Sequence, residues 1–236
     1  MKNGLVKKTR ISQDRDGRKE SVKRSQVIYD DLRKDIITGL VQPGESLIET
    51  VIAARFECSQ APVREACIAL SYEGFLNATP YKGFTVREIT MKEIKDLYEM
   101  RLLVECAAAE DAASGPGPSA AMNAELEGHI RVQQEGLDPD NLWRFLNAEV
   151  GFHVSVAKAS GNELLQRFVT LTWSRFQQFY YKTLSLRQRQ MDLDTVNEHA
   201  AIHDAIRERD TERAKRLMYE HVLLGRETAL KLYFEI

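Results

Sequence analysis

The chain has 236 residues, 43% hydrophobic and 29% charged, with a formal net charge of −2, a composition that suits a globular protein of two modest domains or one large one. No apolar run approaches a membrane span, and the opening MKNGLVKKTRISQ lacks the apolar core of a signal peptide, so no membrane-spanning helix is expected. Charge is uneven: residues 1–90 hold 15 Lys+Arg against 12 Asp+Glu, and the remainder hold 18 against 23. Residues 1–24 alone carry nine basic and three acidic side chains with almost nothing apolar, which predicts a disordered basic tail suited to a polyanion partner. Cys58, Cys67 and Cys106 form no C-x-x-C pair and point to reduced thiols in a cytoplasmic protein.

From Ser25, a candidate cap, Ile28, Leu32, Ile36 and Leu40 recur every fourth residue and predict a helix that stops near Gly39. VQPGES (41–46) reads as a turn. A second short helix follows, with Ile48, Val51, Ile52 and Phe56 on one side, and Glu57–Cys58 break it. SQAPVREA (59–66) then opens a third: Ser59 is placed to cap, and Pro62 falls in the first turn, where its missing N–H costs little. Val63, Ala66, Cys67 and Leu70 give that helix its apolar face. Two short helices so closely spaced make a helix-turn-helix. Leu76 and Ala78, then Phe84 and Val86, alternate around the turn TPYKG (79–83), which adds a β-hairpin and completes a winged helix over 25–89.

The rest, 90–236, reads as helix throughout. Thr90 and Glu93 form a T-x-x-E capping box. Helices are expected at about 91–113, 119–134, 138–160, 162–185, 195–209 and 211–233, the last capped by Asp210. Six helices with short connections predict an antiparallel six-helix bundle, so the fold class is mainly α.

Polar groups interrupt three of the bundle's apolar stripes. Glu149 and His153 lie one turn apart among Leu142, Leu146 and Val156; His199 accompanies Ile202 and Ile206; His221 accompanies Ala214, Leu217 and Met218. Buried polar groups need partners. Three imidazoles and a carboxylate from three helices are what a bundle uses to hold a divalent metal such as zinc, nickel or manganese. The alternative is three separate histidines, each satisfied by a backbone carbonyl or by solvent. His203 reads as a surface residue or a support for a ligand, and His129 as exposed. Arg101, in line with Ile94, Leu97, Tyr98 and Ala108, suits either an i,i+4 ion pair with Glu105 or a guanidinium aimed into a pocket. The aromatic stripe of 162–185 reads as core or dimer interface.

YDDLRKDIITGLVQPGESL, IAARFECSQAPVREACIALSYEGFL and KGFTV resemble the DNA-binding domain of GntR-type regulators. RLLVECAAAEDAA, FHVSVAKASGN and EHAAIHDAIRERDTERAKRLMYEH resemble the FadR-type C-terminal effector domain, abbreviated FCD. The resemblance implies a homodimeric, ligand-responsive transcription factor, most often a repressor, that binds a palindromic DNA operator. It implies a metal held by Glu149, His153, His199 and His221, with Glu149 replacing the usual Asp, and a small organic-acid effector beside it on Arg101 and Asn162. For DNA it implies that the front of the third helix enters the major groove. Arg64 then suits guanine and Gln60, where relatives carry Arg, suits adenine, with Thr50 and Ala61 alongside. Ser59, Arg55 and Lys82 would touch phosphates, and Gly83 would let the wing approach the minor groove.

Two further regulator readings stay open: the metal itself as the signal, and a metal-free ligand pocket. A metal-dependent hydrolase or lyase would want a general base beside the open metal position, and no candidate other than the ligands stands out.

Overall fold

The computed structural model describes residues 17–79, 83–114, 117–135, 141–186 and 189–234. The expected Lys82 contact and residues 1–16 of the expected tail lie outside them. The chain divides into two compact units, Met1–Glu88 and Ile89–Ile236.

In the first unit α1 (Gly17–Ile37) packs on α3 (Gln60–Tyr72), which also takes α2 (Glu49–Arg55). Ile28, Leu32 and Ile36 of α1 meet Val63, Cys67 and Leu70 of α3 in the core, the fourfold spacing that the sequence shows. Tyr29 adds a 2.6 Å hydrogen bond to Glu73. Helix α1 begins at Gly17, well ahead of Ser25, where GRKESVKR with its Arg, Lys and Glu residues continues the helix backward. Leu40, 75% exposed, lies past its end.

Helix α2 differs from its expected face. Ile48 and Val51 are 58% and 62% exposed, and the helix buries the neighbouring Ile52 and Ala53 instead. With only seven residues it presents too little length for a full stripe. Glu57 turns the chain toward α3 at φ +50°, a left-handed conformation uncommon for a non-glycine residue. Ser59 stands at the N-cap position of α3, yet its side chain makes no capping hydrogen bond.

The hairpin pairs β2 (Leu76–Thr79) with β3 (Gly83–Val86) in antiparallel register, Leu76 opposite Val86 and Thr79 opposite Gly83. Ser46, expected to end a turn, and Leu47 form β1 (Ser46–Leu47) on the other edge of β3, giving the order β1-β3-β2.

The second unit is the six-helix bundle: α4 (Met91–Ser114), α5 (Ala120–Glu135), α6 (Leu142–Ala159), α7 (Glu163–Leu184), α8 (Arg189–Arg207) and α9 (Thr211–Phe234). Helix α4 packs against α9, α7 and α6, and α5 against α6. Helix α8 starts six residues earlier than 195. Tyr98, Phe152, Trp173 and Phe176 are fully buried at the centre, where Tyr98 donates a 3.1 Å hydrogen bond to the Gly225 carbonyl. The capping box is half formed: Thr90 Oγ1 accepts from the Glu93 N–H, but the Glu93 carboxylate pairs with Arg175 of α7 at 2.7 Å. Ser119 and Asp210 cap α5 and α9 through the N–H groups of Met122 and Arg213. Among the described residues no helix is long and apolar enough to cross a membrane.

Candidate metal centre and nucleic-acid interface

Glu149 and His153 of α6, His199 of α8 and His221 of α9 converge in the bundle, each offering one ligand atom within 4.8 Å of all the others. All four are buried. Nε2 of His221 lies 3.2 Å from Nε2 of His153 and 3.3 Å from Nε2 of His199. Oε1 of Glu149 lies 3.6 Å from the first of these partners and 3.9 Å from the second.

The outer nitrogens decide which ring atoms face inward. His221 Nδ1 stands 2.8 Å from Oε2 of Glu198, an acceptor, so Nδ1 carries the proton. His199 Nδ1 stands 2.9 Å from Oε1 of Gln133. That amide is oriented by its other end, where Nε2 donates to Glu149 Oε2 at 2.8 Å, so His199 Nδ1 is also the donor. His153 Nδ1 lies 2.6 Å from Glu105 Oε2, angled off an ideal hydrogen-bond line.

Burial pushes the pKa of His221 down to about 3 and that of His199 well below its ordinary value, so both rings are neutral. Their Nε2 lone pairs therefore face each other at 3.3 Å, a repulsive arrangement unless a cation sits among them. Burial also disfavours charge on His153, but Glu105 outweighs it and raises that pKa. Burial would raise the Glu149 carboxyl, yet the neighbouring imidazoles hold it well below the usual range. Nitrogens on a tetrahedral zinc ion, each about 2.0–2.1 Å from it, stand about 3.3 Å apart. The spacing and the donor set fit a divalent metal.

Arg101 borders this cluster, makes the i,i+4 ion pair with Glu105 and also lies on the wall of a cavity. Its Nε and Nη2 reach Glu105 at 2.7 and 3.3 Å, and Nη2 also lies 3.5 Å from His153 Nε2. The guanidinium stacks 4.2 Å from the Trp173 ring centroid, and Trp173 Nε1 donates to Glu105. A cavity of about 140 Å³ opens beside the cluster, lined in part by Arg101, Glu149, His221, Tyr98 and Gly225. A carboxylate entering it would meet the guanidinium and any bound metal together.

Asn162 is not brought there. It caps α7 at an exposed position, its Oδ1 accepting from the N–H groups of Leu164 and Leu165 at 3.1 and 3.2 Å. His203 is buried away from the cluster and contacts Asn123 Oδ1 at 2.9 Å; His129, expected exposed, is half-buried against Gly151.

In the first unit a shallow groove brings together Thr50, Gln60, Arg64 and Gly83. Ser59 and Ala61 are exposed at the front of α3 beside it. Gly83 has φ +84°, a left-handed conformation that favours glycine at the start of β3. Arg55, expected at a phosphate, pairs through its guanidinium with Asp35 at 2.8 Å and with Asp31, tying α2 to α1.

The FCD domain signature covers residues 96–224, and that of the bacterial regulatory proteins, gntR family, covers residues 24–86. The chain belongs to the GntR family of regulators, with a C-terminal FCD domain. GntR-type regulators bind DNA operators, and FCD domains bind small-molecule effectors, often with a metal. The regulator is 29% identical over 205 residues to the HTH-type transcriptional repressor RspR of Escherichia coli K12, covering 84% of this chain and 85% of that one. It is 25% identical over 198 residues to the HTH-type transcriptional repressor GlaR of the same strain, covering 81% and 89%. Its fold is similar to that of E. coli McbR/YncC, with a TM-score of 0.76 at 19% identity over 89% of this chain and 98% of that one.

Sequence reasoning missed two residues that orient the clustered side chains. Gln133 follows Leu126 and Ile130 on the buried face of α5, a polar interruption of the same kind as the histidines, and was legible. Glu198 adjoins His199 in sequence but serves His221 on another helix, which no spacing reveals.

Proposed function

We propose that the regulator is a homodimeric repressor whose affinity for a palindromic operator is set by a small organic acid bound beside a divalent metal, zinc, nickel or manganese. The observation that carries this reading is the inward convergence of three imidazole Nε2 atoms and the Glu149 carboxylate, with the outer nitrogens of His199 and His221 committed as donors. A bound divalent ion supplies concentrated positive charge for an effector carboxylate. Arg101 takes the same carboxylate from the side, held in place by Glu105 and Trp173. The effector must favour one bundle geometry over another by about 1–3 kcal/mol to shift DNA binding usefully.

On the DNA side, the front of α3 enters the major groove, with Arg64 on guanine, Gln60 on adenine and Thr50 and Ala61 alongside. Ser59 takes a phosphate, and the wing at Gly83 approaches the minor groove. A second copy is supported by Leu164, Phe168 and Leu171, which are 62%, 48% and 55% exposed at helical spacing on α7.

Metal content per chain is measured for the purified protein and for His221→Ala, together with salt-sensitive binding to its own promoter fragment. About one metal per chain, lost in the variant, supports the reading. No metal in either, even after incubation with zinc, nickel or manganese, points to a metal-free pocket. Operator binding that responds to metal without any organic acid points to a direct metal sensor.

A further inference from the structure

Arg64 does not stand alone in its groove. Oε1 of Glu49, the first residue of α2, accepts from both Nε and Nη2 of Arg64, each at 3.3 Å. The acid is well packed, its side chain 12% exposed, whereas the arginine is 65% exposed. The carboxylate also sits at the N-terminus of α2, where the helix dipole favours it. Glu49 is therefore the fixed partner and Arg64 the one held. Among the described residues lining the groove, they are the only acid and the only base.

The grip is side-on. It uses Nε–H and one N–H of Nη2, and leaves the outer edge, Nη1 with the other N–H of Nη2, facing away. That outer edge is the one a guanidinium offers to O6 and N7 of guanine. An exposed arginine samples many rotamers and loses that freedom on binding; a side-on carboxylate removes part of the loss beforehand. The same negative charge repels phosphate, which weakens binding to any duplex irrespective of sequence. We infer that Glu49 is a positioning residue for Arg64, raising specific affinity and lowering non-specific affinity at once. This rests on the reading that Arg64 contacts a base.

The test uses the full chain and an operator selected by the wild-type protein from a random duplex library, beside a scrambled duplex of equal length. For Glu49→Gln, affinity for the selected operator falls about tenfold while affinity for the scrambled duplex rises, and a repeated selection shows relaxed preference at one guanine. Glu49→Asp keeps the charge but not the reach: its scrambled-duplex affinity stays at the wild-type value while operator affinity falls. A fall of both affinities together, with a lower melting temperature in both variants, would mean that the pair only braces α2 against α3 and would overturn the inference. Arg64→Ala separates the two layers. If it leaves the selected site unchanged, the base-reading role fails and takes this inference with it. If it abolishes selection while Glu49→Gln retains full discrimination, only the positioning role fails.

Discussion

Gln133 Oε1 accepts a 2.9 Å hydrogen bond from Nδ1 of His199, and so orients one ring of the buried cluster from a helix that contributes none of its four members. The other end of the amide holds Glu149 at 2.8 Å. Gln133→Leu removes both contacts and leaves two buried polar groups unsatisfied. Zinc affinity is expected to fall by about 10–100-fold, read by competition with a chromophoric chelator, with helical circular dichroism retained. An unchanged affinity would show that the cluster does not hold the ion.

Arg55 is expected to act on stability rather than on DNA. Arg55→Ala leaves Asp31 and Asp35 close together without their cation. The pair is partly exposed, so the cost is about 1 kcal/mol, read as a lower denaturation midpoint of the first unit. The salt dependence of operator binding keeps its wild-type slope. A slope reduced by about one would return Arg55 to the phosphates.

Gly225 borders the cavity within α9, and a Cβ built there meets nothing within 4 Å. Gly225→Ala gains about 1 kcal/mol of helix propensity and raises the melting temperature by about 2–4 °C. The added methyl narrows the cavity. Thermal shifts produced by small carboxylates in the metal-loaded protein therefore shrink, although the protein itself is more stable.

Thiol chemistry follows burial. Burial pushes the pKa values of Cys67 and Cys106 up to about 12, while Cys58, also raised, is only half-buried. At pH 8 the native protein is expected to alkylate at Cys58 first, faster as pH rises, with Cys67 and Cys106 reacting only on unfolding. Peptide mass mapping after brief iodoacetamide treatment reads the order. Early labelling of Cys106 would mean that α4 opens more readily than its packing implies.

The winged helix and the bundle were legible because each helix carries its own apolar period, and Glu149, His153, His199 and His221 were legible as polar interruptions of it. What escaped depends on distance through space. The two-residue β1 is too short to show alternation and exists because β3 lies beside it. Arg55 reads as an available cation until the fold brings Asp31 and Asp35 to it. Asn162 fits a family pattern in sequence, but its side chain is used by the local backbone. Ile48 and Val51 suggested a buried stripe, but a seven-residue helix buries only a patch.

The four converging side chains are at most 6% exposed and come from three helices, with Glu105 and Gln133 closing in from two more. Two of the four, Glu149 and His221, also line the cavity, so under the proposed reading an ion and an organic acid would share one way in. An acid seated there would stand behind the ion and close its exit, so that the effector would slow metal exchange as well as add a ligand.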